Sequence, residues 1–355
     1  MKKNKYENES PRARKKRLRR KKIIRRRIFA VLILLLFVLI AGIVLFIMDK
    51  LNKINYKDVD RDNLYTVDLD LEDYYNVLVF GVDSRADELE KNTRSDTMIL
   101  VSINTKTKEI KLTSFYRDTY VQIDGHDYNK LGHAYSYGGA TLALSTFNKN
   151  FDLDLDTYVT VNFTSVANAI NMLGGVEVEV KEAEIPHINK YGGEIARING
   201  CKYTNVTTHG KITLDGYQAI GYSRIRKLGN GDFERTNRQR AVLNAMFAKL
   251  KKSDLSTIND MLDEILPQVL TNMDNKTILA LAKDCLSYEI TESTGFPYNL
   301  KTGYVGKAAM VLPNTLHDNV IELHNRLFKS ETGTDYIPTS TVEEISTHIS
   351  QYIKK

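Results

Sequence analysis

Six basic side chains crowd the stretch Gly221–Arg240, GYSRIRKLGNGDFERTNRQR. They are Arg224, Arg226, Lys227, Arg235, Arg238 and Arg240, set against Asp232 and Glu234. Arg224 and Arg226 flank Ile225, so on a strand both guanidinium groups would point the same way. A Gly-Asn-Gly turn follows. Arg235, Arg238 and Gln239 then fall at i, i+3 and i+4, one stripe of a helix. Strand, turn and helix would aim guanidinium and amide donors at one point. Arginine forks suit planar or tetrahedral oxyanions, phosphate above all. A surface ion-pair network is the plainer description of the same residues.

Charged residues also sit at three strand edges. The apolar run Tyr74–Phe80 reads as a buried central strand and leads into Gly81-Val82-Asp83-Ser84-Arg85. Arg94 and Asp96 precede a second apolar strand, Met98–Asn104. A third, Glu109–Ser114, ends in Phe115-Tyr116-Arg117-Asp118. Open α/β sheets place their sites at such strand ends. Three edges suggest one shared cluster of carboxylates and guanidiniums, in which aspartate oxygens would take Mg²⁺ and Mg²⁺ would keep phosphate oxygens in its shell. Self-neutralising salt bridges need no ligand and use the same residues. Lys130, just before Leu131-Gly132-His133, adds a further phosphate ligand; His133 is either a base or a structural histidine.

The elements around these residues read as follows. Helices are expected from Ala140 to Asn150, from Ser165 to Leu173 with Gly174-Gly175 as C-cap, from Leu214 to Ala219 and from Glu234 to Lys251. Tyr158–Phe163, the alternating Val176–Val180 and Gly306–Leu312 read as strands. Lys181–Asn205 reads as an insertion or flexible loop, Ser253–Leu286 as helical, and Asn314–Phe328 as a helix. The chain contains no GxGxxG or Walker loop and no GxSxG elbow. Its two cysteines, Cys201 and Cys285, form no metal-binding spacing.

The net charge of +6 conceals two opposite parts. Residues 1–27 hold 15 Lys/Arg and 2 Glu, a net +13, whereas residues 28–355 hold 35 basic and 42 acidic residues, a net −7. A mildly acidic body argues against nucleic-acid binding. Ile28–Met48 is an unbroken apolar run that as a helix spans roughly 31 Å, enough to cross a bilayer. The positive-inside rule then places the basic tail in the cytoplasm and the rest outside. The organisation expected is a cytoplasmic basic tail (1–27), a transmembrane helix (28–48), a stalk (49–73), an extracellular catalytic domain (74–328) and a polar C-terminal tail (329–355) with weak helical character after Thr341.

Taken together, GVDSR, RSDTMILVSIN, SFYRDTYV, KLGHAYSYGG, LGGVEVEV, LDGYQAIGYSRIR and GDFERTNRQR resemble the LytR–CpsA–Psr family of cell-wall glycopolymer ligases. The pieces occur in the family's order over roughly residues 76–250. The chain departs from the family's usual residues at Gly132, Tyr116 and Asn171, none of which removes a charge from the cluster.

The resemblance implies an α/β/α sandwich around a mixed sheet. It implies a polyprenyl-pyrophosphate-linked glycan donor whose lipid lies in an apolar tunnel. The pyrophosphate would be held by Arg85, Arg94, Arg117, Lys130, Arg224, Arg226, Arg235, Arg238 and Gln239, with Mg²⁺ on Asp83 and Asp96. Asp83, Arg85, Arg117 and Asp118 carry the expected catalytic roles. The acceptor would be the C6 hydroxyl of N-acetylmuramic acid in peptidoglycan, and the glycan a teichoic acid or a capsule-type polysaccharide. Hydrolysis of the same lipid-linked glycan would use the same residues. A membrane-bound transcriptional attenuator is the non-enzymatic alternative.

Overall fold

The computed structural model describes residues 42, 45–69, 71–82, 89, 95–229, 231–328 and 335–353. It divides into two compact units, Met1–Asn52 and Lys53–Lys355. In the first, residues 45–51 are helical, and Leu45, Phe46 and Met48 are more than half exposed. Most of the expected span lies outside the described residues. Among those that are described, no helix is long and apolar enough to cross a membrane.

Among the described residues the second unit is built on thirteen strands: β1 (Asn55–Tyr56), β2 (Tyr74–Val82), β3 (Ser95–Asn104), β4 (Glu109–Phe115), β5 (Tyr120–Gln122), β6 (Tyr128–Lys130), β7 (Tyr158–Asn162), β8 (Val176–Val180), β9 (Gly210–Leu214), β10 (Val269–Thr271), β11 (Glu289–Phe296), β12 (Leu300–Val305) and β13 (Ala308–Pro313). Seven form a mixed sheet in the order β1-β10-β7-β2-β3-β4-β11. Three two-stranded ribbons, β5–β6, β8–β9 and β12–β13, stand apart from it. In the sheet β2 runs parallel to β7 and antiparallel to β3, with Val82 opposite both Asn162 and Ser95. The carboxyl ends of β2, β4 and β7 and the start of β3 therefore share one edge.

Alternation along the strands buries both faces. Leu78, Phe80, Val82, Met98, Leu100 and Phe115 pack with the helices His133–Phe151, Leu316–Leu327 and Ser340–Ile353. Ile99, Ile103, Ile110 and Leu112 face Leu243 and Phe247 of the helix Asp232–Leu250. The result is helices on both sides of a mixed sheet. A smaller core joins ribbon β8–β9 to the helices Phe163–Met172, Ile185–Ile198 and Gly216–Ser223.

Several expectations are corrected. The segment carrying Arg224 and Arg226 is not a strand. The Asp215 side chain accepts from the Gln218 amide, and Gln218 Oε1 accepts from the Asp215 amide, a reciprocal cap. That cap launches the helix Gly216–Ser223, and Arg224 is its C-cap in the right-handed helical region. Helical backbone at Arg224 rules out the pleat that the strand reading needed. The expected loop 181–205 holds the helix Ile185–Ile198, with Pro186 in its first turn. The expected helical stretch 253–286 is interrupted by β10, and part of the stalk, β1, pairs with β10. The C-terminal tail is no tail: Val342, Ile345 and Ile349 of the helix Ser340–Ile353 are buried in the main core. By contrast, Gly174 and Gly175, at φ +74° and +88°, end the helix Phe163–Met172 where the C-cap was expected. Cys201 and Cys285 are both exposed and unpaired with each other.

Candidate functional site

Asp96, the second residue of β3, is the hub of the charged edge. One carboxylate oxygen accepts a short hydrogen bond from Arg117 Nη1 and the other accepts from Arg226 Nη2 at 3.0 Å. Its backbone carbonyl accepts from Arg235 Nη2 at 3.1 Å. Burial alone would raise the Asp96 pKa, but Arg117, Arg235 and Arg226 outweigh it and hold the carboxyl below its ordinary value. Guanidiniums from the end of β4, from the turn after Gly216–Ser223 and from the helix Asp232–Leu250 thus converge on one aspartate, the first two on its carboxylate and the third on its backbone carbonyl.

A second carboxylate backs the cluster. Asp232 lies 2.9 Å from Arg235 Nη2 and 3.9 Å from the Nε of both Arg117 and Arg226. Burial dominates here, and its pKa stands above the ordinary value despite those cations. Asp118 accepts from Lys130 Nζ at 2.9 Å and sits 3.7 Å from Arg117 Nε.

Two recesses open on either side of Asp96. One, of about 270 Å³, is lined by Ser95, Asp96, Arg117, Asp118, Lys130, Gly132 and His133. The other, of about 200 Å³, is lined by Asp96, Phe163, Tyr191, Arg224, Arg226, Arg235 and Gln239. Gly132 lets the first recess close up: a Cβ there would lie 3.1 Å from Arg117 Cβ and 3.3 Å from the Ser95 carbonyl oxygen. His133 Nδ1 lies 3.0 Å from Asn129 Oδ1 and 3.4 Å from the Tyr137 hydroxyl, so its ring is held by neighbours on the recess wall.

The buried donors on these walls are not all used. Arg235 is only 2% exposed, yet among the described residues its Nε and Nη1 have no acceptor, and neither does Arg117 Nε. Buried polar groups normally find partners. Arg117 lines the first recess and Arg235 the second, so each recess is bordered by guanidinium groups, a setting suited to a group bearing several anionic oxygens. Burial pushes the Arg235 pKa down to about 10, so it remains a cation at neutral pH.

Arg117, Asp118, Lys130, Asp96, Arg224, Arg226, Arg235 and Gln239 are brought together as expected. Arg238 is not. Its Nε donates to Glu184 Oε1 at 2.7 Å and its Nη1 to the Ile225 carbonyl at 3.1 Å, both in the interior. The helical rotation explains the split: relative to Arg235, Gln239 stands about 40° to one side and Arg238 about 60° to the other. Asp83, Arg85 and Arg94 lie outside the described residues. Among the described ones no group of three His, Cys, Asp or Glu side chains forms a metal cage. Sequence reading gave no role to Asp232 or to Phe163 and Tyr191 on the recess wall. The Asp232–Arg235 spacing of three on a helix was the available signal for the first.

Comparison with known proteins adds to this geometry. The LytR_cpsA_psr family model matches residues 42–323. The polyisoprenyl-teichoic acid–peptidoglycan teichoic acid transferase TagU of Enterococcus faecalis is 32% identical over 240 residues, covering 67% of this chain and 73% of that protein. The transferase TagT of Bacillus subtilis is 35% identical over 234 residues, 64% of this chain and 70% of that one. Among solved structures, TagT with bound octaprenyl pyrophosphate lipid superposes with TM-score 0.56 at 28% identity, covering 76% of this chain and 99% of the other. TagT bound to LIIa-WTA gives TM-score 0.59, with 76% and 97% covered.

Proposed function

The chain belongs to the LytR_cpsA_psr family, and on that premise we propose that it is a transferase moving a teichoic-acid-type glycopolymer from a polyprenyl-pyrophosphate carrier to peptidoglycan. The observation that carries this is the pair of recesses around Asp96, with buried donors of Arg117 and Arg235 left over. Two linked phosphates would occupy two adjoining recesses. Arg117 and Lys130 would serve one phosphoryl group, and Arg224, Arg226, Arg235 and Gln239 the other.

Phosphoryl transfer asks the protein mainly for position and charge neutralisation. The acceptor hydroxyl, the C6 hydroxyl of N-acetylmuramic acid, attacks the phosphorus next to the sugar. A new P–O bond forms and the bond to the bridging oxygen breaks. The electron pair leaves with polyprenyl phosphate, and the hydroxyl proton passes to a carboxylate, for which Asp118 on the recess wall is positioned. The donor carries its own activated bond, so no nucleotide is required outside the membrane.

We assign Mg²⁺ to Asp96 and Asp83. Asp96 would offer the ion an ionised carboxylate bordering both recesses, through the lone pairs that Arg117 and Arg226 leave over on its two oxygens. When bound, Mg²⁺ would supply charge neutralisation on phosphoryl oxygens. Asp83→Asn and Asp96→Asn should each abolish Mg²⁺-dependent stabilisation of the protein in thermal melts. Persistence of that stabilisation in both would place the ion elsewhere. The apolar run 28–48 and the basic tail before it are the proposed anchor, with a cytoplasmic N-terminus and an external catalytic domain.

The functional test uses lipid-linked glycan with and without peptidoglycan acceptor. Arg226→Ala should lower transfer by about 10² to 10³ with the melting temperature little changed. Transfer at the normal rate would refute the site. Release of free phosphorylated glycan regardless of acceptor would replace transfer by hydrolysis.

A further inference from the structure

The helix Ser340–Ile353 lies beyond the family match, which ends at residue 323. One side of it is buried in the main core through Val342, Ile345 and Ile349. Its aromatic and imidazole rings meet the ribbon β5–β6. His348 stacks on Tyr128 with ring centroids 3.7 Å apart and planes 13° apart. Tyr352 meets Tyr120 edge-on at 5.5 Å, and Tyr120 lies 5.5 Å from Tyr128. The helix itself is pinned to other parts of the fold. Ser346 Oγ accepts from the Leu316 amide at 3.1 Å, and the Thr339 amide donates to Asp152 at 2.7 Å.

That ribbon carries a wall of the first recess. Tyr120 is the cross-strand partner of Lys130, and Tyr128 precedes Lys130 by two residues on the same side of β6. Lys130 bonds Asp118, and Lys130, Gly132 and His133 supply three of the seven residues lining that recess. Each strand of the ribbon is three residues long. A two-stranded ribbon so short has little stability of its own, so packing from outside must fix it. Val121 in the main core and the Asn150 side chain, bonded to both backbone groups of Gln122, hold strand β5, and the rings of the C-terminal helix supply the packing against Tyr128 of β6.

We propose that His348 is a positioning residue for the donor site: its stack on Tyr128 fixes ribbon β5–β6 and thereby the place of Lys130 against the substrate's phosphoryl oxygens. The inference rests on the reading of the recess as the pyrophosphate site. His348 touches no substrate atom; it acts through Tyr128 and the ribbon. A loosened ribbon lets Lys130 wander, which weakens donor binding in the ground state and the transition state alike. The consequence is a higher KM with kcat nearly retained.

The test compares full-length wild type, His348→Ala, His348→Phe, Lys130→Ala and the Lys130→Ala/His348→Ala double variant, each reconstituted in lipid with polyprenyl-pyrophosphate-linked glycan and peptidoglycan. His348→Ala should raise the donor KM roughly two- to tenfold and leave kcat within about twofold. His348→Phe, which keeps a planar ring, should restore KM. Lys130→Ala should raise KM further, and the double variant should be no worse than Lys130→Ala alone, since both act through one group. If Lys130→Ala raises KM and His348→Ala does not, the inference falls while the site reading stands. Effects of the two that multiply overturn it as well. If Lys130→Ala is silent, the recess reading fails at Lys130 and the inference falls with it. Should His348→Ala not fold, amide exchange in His348→Gln supplies the readout. Faster exchange confined to residues 120–131 supports the inference, and exchange equal to that of His348→Phe overturns it.

Discussion

Replacing Arg235 by lysine separates its charge from its fork. Arg235 Nη2 is spent inside the protein, on the Asp96 carbonyl at 3.1 Å and on Asp232 at 2.9 Å. Among the described residues Nε and Nη1 have no acceptor. Lysine preserves one cation beside Asp232 and removes the two unspent donors. A hydrogen bond to a charged partner contributes about 1.5–3 kcal/mol. If both donors engage phosphoryl oxygens, Arg235→Lys should lower kcat/KM by about 10² to 10⁴. The folded protein uses neither donor, so its melting temperature should change by no more than about 4 °C. The charge survives the exchange. Burial takes Arg235 down to about 10, and the same burial would lower a lysine from its smaller ordinary value of about 10.4. The variant should therefore lose further activity as pH rises from 7 to 9, where the wild type loses less. Steady-state transfer of labelled glycan at both pH values, with melting curves alongside, is the assay. A kcat/KM within about threefold of wild type at pH 7, in a protein of normal stability, would mean that the free donors never meet the substrate.

Two further outcomes follow from buried charge. Glu184 and Arg238, 3% and 4% exposed, form a pair at 2.7 Å. Glu184→Leu or Arg238→Leu alone strands a buried charge, which should cost about 3–5 kcal/mol and lower the melting temperature by roughly 6–20 °C. The double leucine variant should recover most of that, and losses that simply add would show that the two residues are not coupled. Burial also pushes His324, which donates to the Phe151 carbonyl at 3.0 Å, down to about 4. Its folded value lies below the unfolded one of about 6.5. The neutral ring's contribution is thus complete above pH 6.5 and is lost as pH falls towards 4, roughly 3 kcal/mol in all. Urea midpoints at pH 7 and pH 4.5 should show this loss, with a flatter profile in His324→Gln; equal slopes in the two proteins would assign the loss to other groups.

What sequence revealed and what it hid divides along a physical line. Tyr74–Phe80, Met98–Asn104 and Glu109–Ser114 were legible because both sides of a central strand are apolar, a property that is local. The C-cap at Gly174-Gly175 was legible because positive φ selects glycine. Arg224 and Arg226 were placed beside the other cations but on the wrong element: a capping box at Asp215 and Gln218, at the far end of an eight-residue helix, decided the backbone, and the buried Ile225 between them still turned both outward. Arg238 was misread because spacing reports a helical stripe about 100° wide and cannot say that Glu184, 54 residues away in sequence, takes one margin of it. The helix Ser340–Ile353 was legible only as weak helical character in a polar tail, because polar residues dominate its composition, whereas its burial depends on partners in distant segments.

The same distinction bears on why the charged edge holds together. Among the described residues the two recesses gather Asp96, Asp118 and Asp232 against Arg117, Lys130, Arg224, Arg226 and Arg235, an excess of two positive charges. Without the aspartates, cations this close would repel strongly in a half-buried setting. With them the cluster is held together, and among the described residues it keeps an excess of positive charge that an anionic group would offset. A self-neutralising network on a surface would be expected to balance to zero and to leave no buried donor unspent. Arg117 and Arg235, which border the two recesses as well as pairing with the aspartates, are the residues on which that distinction turns.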